Sequence, residues 1–134
     1  MEEKYIELIH KAQLAYENAY APYSNYKVGA AVLWDSGAIT TGVNMENASY
    51  GLTVCAERNA IAAGIGTGER KIDAIAIAVP SEDLPAPCGA CRQVLREFST
   101  DCTILLANGK RESKITDLKK LFPYGFGPEF LKKL

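Results

Sequence analysis

Residues 72–79, IDAIAIAV, decide the fold of this chain, because every residue in the stretch except Asp73 is apolar. A strand with one solvated face alternates apolar and polar residues, whereas a strand covered on both faces is apolar almost throughout. The stretch therefore predicts a strand at the centre of a sheet that carries helices on both faces.

The segments that flank this strand have the pattern of helices. Before it, residues 53–61 (TVCAERNAI) predict a helix that begins near a cysteine. After it, residues 87–98 (PCGACRQVLREF) predict a loop that enters a second helix, and residues 102–107 (CTILLA) predict another strand. This alternation of strand and helix favours a mixed sheet with helices packed on its faces.

The N-terminal part of the chain adds a helix and a hairpin to this pattern. Apolar residues at three- and four-residue spacing over residues 5–19 predict a helix that Pro22 stops. Residues 28–34 and 38–44 predict two strands, joined by the turn-forming triplet at 35–37.

The C-terminal part completes the sheet. Asn108 and Gly109 predict a turn into a short polar strand, and residues 116–134 predict a helical tail with an amphipathic end. The predicted fold class is α/β, a three-layer α-β-α arrangement with a mixed five-stranded sheet. Because 134 residues, 48% of them hydrophobic, suffice for one core, we expect a single domain over residues 1–134.

Charge and hydropathy narrow the partners that the protein could have. The 15 basic and 16 acidic residues nearly cancel, so no basic field exists to attract nucleic acid or an anionic membrane. No apolar run approaches membrane-spanning length, and residues 1–7 include three glutamates where a signal peptide needs a basic start. We therefore expect a cytoplasmic protein without nucleic-acid or membrane partners, in which cysteines serve as thiols or metal ligands.

The cysteine spacing suggests a metal site. Cys88 and Cys91 are separated by two residues, which suits a shared metal ion but also a redox pair. A structural zinc site would need four ligands, and Cys102 is a candidate for the fourth, although its place in an apolar strand favours burial. If the ligands are Cys55, Cys88 and Cys91 alone, one position stays open to water, as in a catalytic zinc site.

Three charged residues accompany the predicted ligands. Glu57 lies two residues after Cys55, from where its carboxylate can exchange protons with a water at the metal without being a ligand. Arg58 and Arg92 each follow closely on a ligand, so we interpret both as N–H donors that offset the thiolate charge. Ordinary surface positions for the two arginines remain an equal alternative at this point.

Together, the segments CAE (55–57) and PCGAC (87–91) resemble the signature of the zinc-dependent cytidine deaminases. Residues 19–32, 44–58 and 121–131 resemble further segments of the same family, in family order. The resemblance implies a cytidine deaminase-like fold and hydrolytic deamination of cytidine and 2′-deoxycytidine. It also implies one zinc ion per subunit, Glu57 as the proton shuttle and assembly into a homotetramer.

The resemblance also implies roles in substrate binding for five residues. Asn44 and Glu46 match the pair that binds the sugar hydroxyls, and Tyr26 matches an aromatic that packs on the substrate. Ala56 is expected to act through its backbone near the base. Phe126 matches an aromatic that reaches the active site of a neighbouring subunit.

Two other functions remain open from the sequence. Blasticidin S-type deaminases share the three-cysteine site, and a zinc-stabilised interaction domain could retain the metal without catalysis. The polynucleotide deaminases are disfavoured, since they have a histidine as first ligand where this chain has Cys55. The presence of Glu57 argues against a purely structural site, which needs no proton shuttle.

Overall fold

A computed structural model describes residues 1–132 of the chain, so the last two residues of the predicted amphipathic tail lie outside the described residues. The helices are α1 (Glu3–Tyr16), α2 (Ala56–Gly66), α3 (Gly89–Phe98), α4 (Leu118–Leu121) and α5 (Pro128–Leu131). The strands are β1 (Gly29–Trp34), β2 (Ile39–Val43), β3 (Ile72–Ala78), β4 (Thr103–Ala107) and β5 (Ser113–Asp117). A single 3-10 turn, which the sequence analysis did not predict, spans Tyr50–Leu52.

The five strands form one mixed sheet in the order β2-β1-β3-β4-β5. Strand β3 lies at its centre, antiparallel to β1 and parallel to β4. All residues of β3 except Asp73 are buried, which is the property that its apolar sequence predicted. The predicted α/β class and mixed five-stranded sheet are therefore confirmed.

Helices cover both faces of the sheet because β3 presents apolar side chains to each side. Ile75 and Ile77 belong to a core that includes residues of α2, α3 and α4. On the opposite face, alanines of β3 pack with Leu8 and Ala12 of α1. Small side chains on this face let α1 lie close to the sheet. None of the helices in the described part of the chain is long and apolar enough to cross a membrane.

Helix α1 ends earlier than the sequence predicted. It stops at Tyr16 rather than continuing towards Pro22, because the next residues close tight turns and the chain then crosses to the sheet. The N–H of Tyr20 donates to the carbonyl of Asn44 at 3.0 Å, and Tyr20 and Met45 form an isolated β-bridge. A tertiary contact, not proline, sets this helix end.

Gly42 of β2 allows α2 to approach the sheet, and its substitution tests that packing. A Cβ atom at this position would lie 2.3 Å from the backbone nitrogen of Ala60. We expect Gly42→Ala to lower the free energy of unfolding by about 1–3 kcal/mol, because rigid backbone must move. Urea denaturation provides the measurement.

Gly66→Ala is the matched control on α2 itself, since nothing lies within 4 Å of a Cβ there. We expect it to be neutral or to stabilise by up to about 1 kcal/mol. Equal losses in the two variants would contradict the proposed close contact at Gly42.

Candidate metal centre and active site

The N-termini of two helices converge on one point. Cys55 is the residue that caps α2, and Cys88 caps α3, so each thiol lies beside backbone N–H groups that lack helical partners. Cys91 lies within the first turn of α3 and is buried. Helix N-termini favour negative charge, and three thiolates gain from both of them.

The three sulfur atoms are spaced for a single zinc ion. Their Sγ atoms lie 3.9 Å apart for Cys55 and Cys88 and 3.5 Å apart for Cys88 and Cys91, and all three lie within 4.8 Å of one another. Tetrahedral zinc with bonds of about 2.3 Å to sulfur places its ligands about 3.8 Å apart. The donor set therefore fits zinc with one position left for a further ligand.

Cys102 does not belong to this cluster. It is 1% exposed within the core on the α2 and α3 side of the sheet, and burial raises the pKa of its thiol to about 11. The group of possible metal ligands among residues 1–132 contains Cys55, Cys88 and Cys91 without it. The four-cysteine alternative thus has no support in the geometry.

Cys55 is stabilised as a thiolate by its neighbours. Hydrogen bonds from the Cys91 thiol and from Arg58 lower the pKa of Cys55 to about 5. Nη2 of Arg58 lies 3.5 Å from Sγ of Cys55, while its buried Nε has no hydrogen-bond partner among the described residues. Arg58 thus lies where the predicted charge compensation requires a guanidinium.

Arg92 makes different contacts from those predicted. Its Nε donates to the carbonyl of Pro87 at 2.8 Å, and its Nη1 donates to the carbonyl of Leu121. In the described structure no hydrogen bond joins Arg92 to a cysteine sulfur, so the predicted N–H donation to thiolate is corrected. The physical reason is that two backbone carbonyls near α3 compete successfully for the guanidinium.

Glu57 occupies the second position of α2 and is 5% exposed. Burial raises the pKa of its carboxyl group, and the negative charge of Cys55 adds to this, whereas a hydrogen bond from its own backbone N–H opposes it. Burial thus favours the protonated form more than water does, which suits a group that accepts a proton and releases it again.

A cavity of about 190 Å³ opens beside the cysteines and Glu57. Its lining combines predicted site residues with neighbours that the sequence analysis missed: Tyr26, Val28, Asn44, Thr53, Cys55, Ala56, Glu57, Ile77, Pro85, Ala86 and Cys88. Thr53 and Ala86 each lie two residues before a predicted zinc ligand, and this spacing could have indicated that they line the cavity. Val28 and Ile77 reach the cavity only through strand pairing, which no local pattern reveals.

Asn44 shapes the cavity as well as lining it. Its Oδ1 accepts from the N–H of Val28 at 3.0 Å, and its Nδ2 donates to the carbonyl of Tyr26 at 2.7 Å. These bonds leave one N–H and one lone pair of the amide for another partner. Burial raises the pKa of the Tyr26 hydroxyl, which also bonds to Ser81.

Glu46 lies in an adjacent cavity of about 280 Å³, which meets the first at Thr53. Its carboxylate accepts from the backbone N–H groups of Tyr23 and Ser24, at 2.9 and 3.1 Å, and from the Ser24 hydroxyl. The Ser24 hydroxyl and these N–H groups hold the pKa of Glu46 below its usual value. The structure therefore separates Glu46 from the cavity that Asn44 lines.

Phe126 lies outside both cavities of its own chain. Its ring is 53% exposed and stacks on Phe130, with ring centroids 5.4 Å apart. Its carbonyl accepts from Nε2 of Gln93 on α3 at 2.9 Å, and an ion pair between Arg96 and Glu129 holds the next segment on the same helix. The aromatic pair is thus fixed in position and open to contact.

Residues 2–107 match the family model described as the cytidine and deoxycytidylate deaminase zinc-binding region. This range contains all three clustered cysteines. Among curated proteins, the chain is 42% identical to a cytidine deaminase of Sporosarcina psychrophila over 125 residues, which cover 92% of each chain. It is 39% identical to a probable cytidine deaminase of Dictyostelium discoideum over 97% of this chain and 88% of that protein.

Solved structures agree with these relatives. The crystal structure of cytidine deaminase from Burkholderia pseudomallei superposes with a TM-score of 0.86 at 42% identity, covering 94% of this chain and all of that one. Cytidine deaminase from Mycobacterium tuberculosis gives 0.81 at 39% identity, covering 94% and 99%. The predicted family resemblance and fold are confirmed.

The lowered pKa of Cys55 predicts its reactivity when zinc is removed. Its thiolate form dominates above a pH of about 5, so iodoacetamide should modify Cys55 rapidly at neutral pH and slow as the pH falls towards that value. Peptide mass spectrometry measures the rate at each cysteine. Cys102 serves as an internal control that stays unmodified, because it is buried and its pKa is raised to about 11.

Arg58→Gln should move the reactive range of Cys55 to higher pH, because one of the groups that stabilise the thiolate is lost. Added zinc should protect Cys55 in both proteins. An unchanged pH profile in the variant would contradict the charge compensation by Arg58.

Proposed function

Because the chain belongs to the cytidine and deoxycytidylate deaminase family, we propose that it converts cytidine and 2′-deoxycytidine to uridine and 2′-deoxyuridine, with release of ammonia. This reaction would serve pyrimidine salvage in the cytoplasm, with residues 1–134 as one catalytic domain. The observation that carries the proposal is the buried Glu57 beside a three-thiolate site at the wall of one cavity.

Cys55, Cys88 and Cys91 would hold one zinc ion per subunit. When bound there, zinc supplies Lewis acidity and lowers the pKa of a water at its fourth position. Arg58 offsets the charge of the thiolates, which would otherwise weaken that effect. The carbonyls of Cys55 and Cys88 accept the first backbone hydrogen bonds of α2 and α3, so the main chain of both ligands is anchored at a helix start.

Glu57 moves the protons of the reaction. Its carboxylate takes a proton from the attacking water and gives it to N3 of the base, which makes C4 a better electrophile. As the C4–N4 bond breaks, Glu57 transfers the second proton of the water to the leaving amino group, which departs as ammonia. The raised pKa from burial suits a group that must both accept and release protons.

The cavity lining would orient the nucleoside. Asn44 retains one N–H and one lone pair for a sugar hydroxyl, and Glu46 retains acceptor capacity at the mouth of the adjoining cavity. Tyr26 would pack its ring on the substrate, and the backbone of Ala56, at the first position of α2, would face the base. A nucleoside spanning both cavities would meet all four residues.

Self-association would complete the site, and a homotetramer is the assembly that we propose. The support is the position of Phe126, which is held firmly on α3, exposed and outside the cavity of its own chain. In an assembly its ring could close the cavity of a neighbour. Arg92 would act indirectly, by fixing the backbone before Cys88.

The two alternative functions are not favoured. Three relatives that match over at least 91% of the chain are named cytidine deaminases, which favours a nucleoside over blasticidin S as the substrate. A non-catalytic domain would have no use for a buried acid facing a cavity at the metal. We also propose that the protein binds neither nucleic acid nor a membrane.

Glu57→Gln tests the proton shuttle. We expect the variant to retain its fold and zinc content while kcat for cytidine falls by about 100-fold or more, because only the proton transfer is removed. Ultraviolet absorbance follows the turnover, and metal analysis follows the zinc. Loss of zinc would make Glu57 a ligand or a support of the site, and unchanged turnover would refute the shuttle.

Mixed assemblies test the position of Phe126. Phe126→Ala retains Glu57, and Glu57→Gln retains Phe126, so each variant alone should be weakly active. If Phe126 acts on a neighbouring chain, co-expression of the two should restore activity well above the sum of the separate variants. Activity that stays at the sum would assign Phe126 to its own chain or to packing.

A further inference from the structure

One wall of the active-site cavity is a loop that follows the central strand. This cavity loop, residues 80–88, joins β3 to the first residue of the zinc-site pair and contributes Pro85, Ala86 and Cys88 to the lining. Near its start, Ser81 lies beside the hydroxyl of Tyr26, a residue that lines the same cavity. The position of the loop therefore sets the shape of the site.

The β4–β5 turn holds the start of the cavity loop. The N–H of Gly109 donates to the carbonyl of Ser81 at 2.7 Å, and Nδ2 of Asn108 donates to the carbonyl of Glu82 at 2.6 Å. A Cβ atom on Gly109 would lie only 1.9 Å from the carbonyl oxygen of Pro80. Turn and loop are thus in direct backbone contact.

Asn108 uses its entire hydrogen-bonding capacity in this contact. Its Oδ1 accepts from the N–H groups of Lys110 and Glu112, both at 3.0 Å, and its Nδ2 donates to Glu82 and to the Glu112 carboxylate. The side chain is 4% exposed. A side-chain amide offers an oxygen that accepts two hydrogen bonds and an NH2 group that donates two. A carboxylate or a hydroxyl group therefore cannot reproduce these four bonds.

The other end of the loop has its own tether, in which Arg92 donates to the carbonyl of Pro87. Between the two tethers, residues 83 and 84 are exposed, whereas Pro85 is buried. The segment that bears Pro85 and Ala86 is therefore positioned by its two ends and by the packing of Pro85. Movement at the Asn108 tether would be transmitted to the cavity wall.

We propose that Asn108 is a positioning residue for nucleoside binding, although it does not line the cavity. It acts through the cavity loop, by holding the start of the loop and thereby the wall formed by Pro85 and Ala86. This inference rests on the proposed function, in that the bound molecule is a nucleoside. Asn108 directly follows the last residue of β4 and takes no part in the proposed chemical steps, so positioning the loop is a separate role.

Asn108→Asp tests the tether. An aspartate can still accept from the N–H groups of Lys110 and Glu112 within the turn, but it can donate neither to the carbonyl of Glu82 nor to the Glu112 carboxylate, and its charge repels both oxygens. We expect KM for cytidine to rise about 3- to 10-fold, because the cavity loop loses its side-chain tether to the turn. Because zinc and Glu57 are untouched, kcat should stay within about twofold and zinc content should match the parent.

Hydrogen–deuterium exchange supplies a readout that needs no substrate. We expect faster amide exchange in residues 80–88 of the Asn108 variant, and unchanged exchange in β1 and β2. If the parent protein fails to deaminate cytidine, the proposed function is wrong, yet the exchange result still decides whether Asn108 fixes the loop. Asn108→Ala, which adds no charge, replaces the aspartate variant if that variant does not fold.

Ser36→Ala is the matched control. Ser36 ties the β1–β2 turn to Glu69 in the loop after α2, in the same way as Asn108 ties its turn to the cavity loop, but away from the cavity. We expect KM of this variant to equal that of the parent. If the Asn108 variants lose thermal stability while KM and loop exchange match Ser36→Ala, the role is structural and the proposal is overturned.

Discussion

The constraint on which the rest of this structure depends is that a zinc ion here needs three thiolates, formed from sulfur atoms that lie within 4.8 Å of one another. Three such charges are costly to collect unless positive potential is already in place. Two helix N-termini and Arg58 provide it, since Cys55 and Cys88 each cap a helix. The site is therefore possible only where two helices begin side by side.

That requirement explains the arrangement of the sheet. Helix α3 connects the parallel strands β3 and β4, and α2 packs on the same face, so both helices can start at one edge. Close approach of α2 needs glycines: Gly42 faces its backbone, and a Cβ on Gly64 would lie 2.1 Å from the ring of Trp34. The packing of α2 is thus as much a condition of the metal site as the cysteines are.

The sequence predicted what is encoded locally and missed what depends on distant contacts. Cys55 and Glu57 lie at the start of the same helix, so their spacing in the sequence was enough to predict that they are close together. The end of α1 could not be read in this way, because it depends on a bond from Tyr20 to Asn44. Glu46 lies in a cavity that adjoins the one lined by Asn44, and the bonds from Tyr23 and Ser24 that hold it there follow from no local pattern.

Arg58 and Arg92 show the same limit of local sequence patterns, since only Arg58 contacts a cysteine sulfur. The charge of the metal site explains this difference. Three thiolates around a divalent ion leave one net negative charge, which a single guanidinium balances. Arg58 lies one helical turn after Cys55, so its side chain extends back over that sulfur. Once it is there, a second cation gains little. Arg92 instead satisfies the carbonyls of Pro87 and Leu121, the latter 29 positions away in the sequence, a contact that no local pattern could predict.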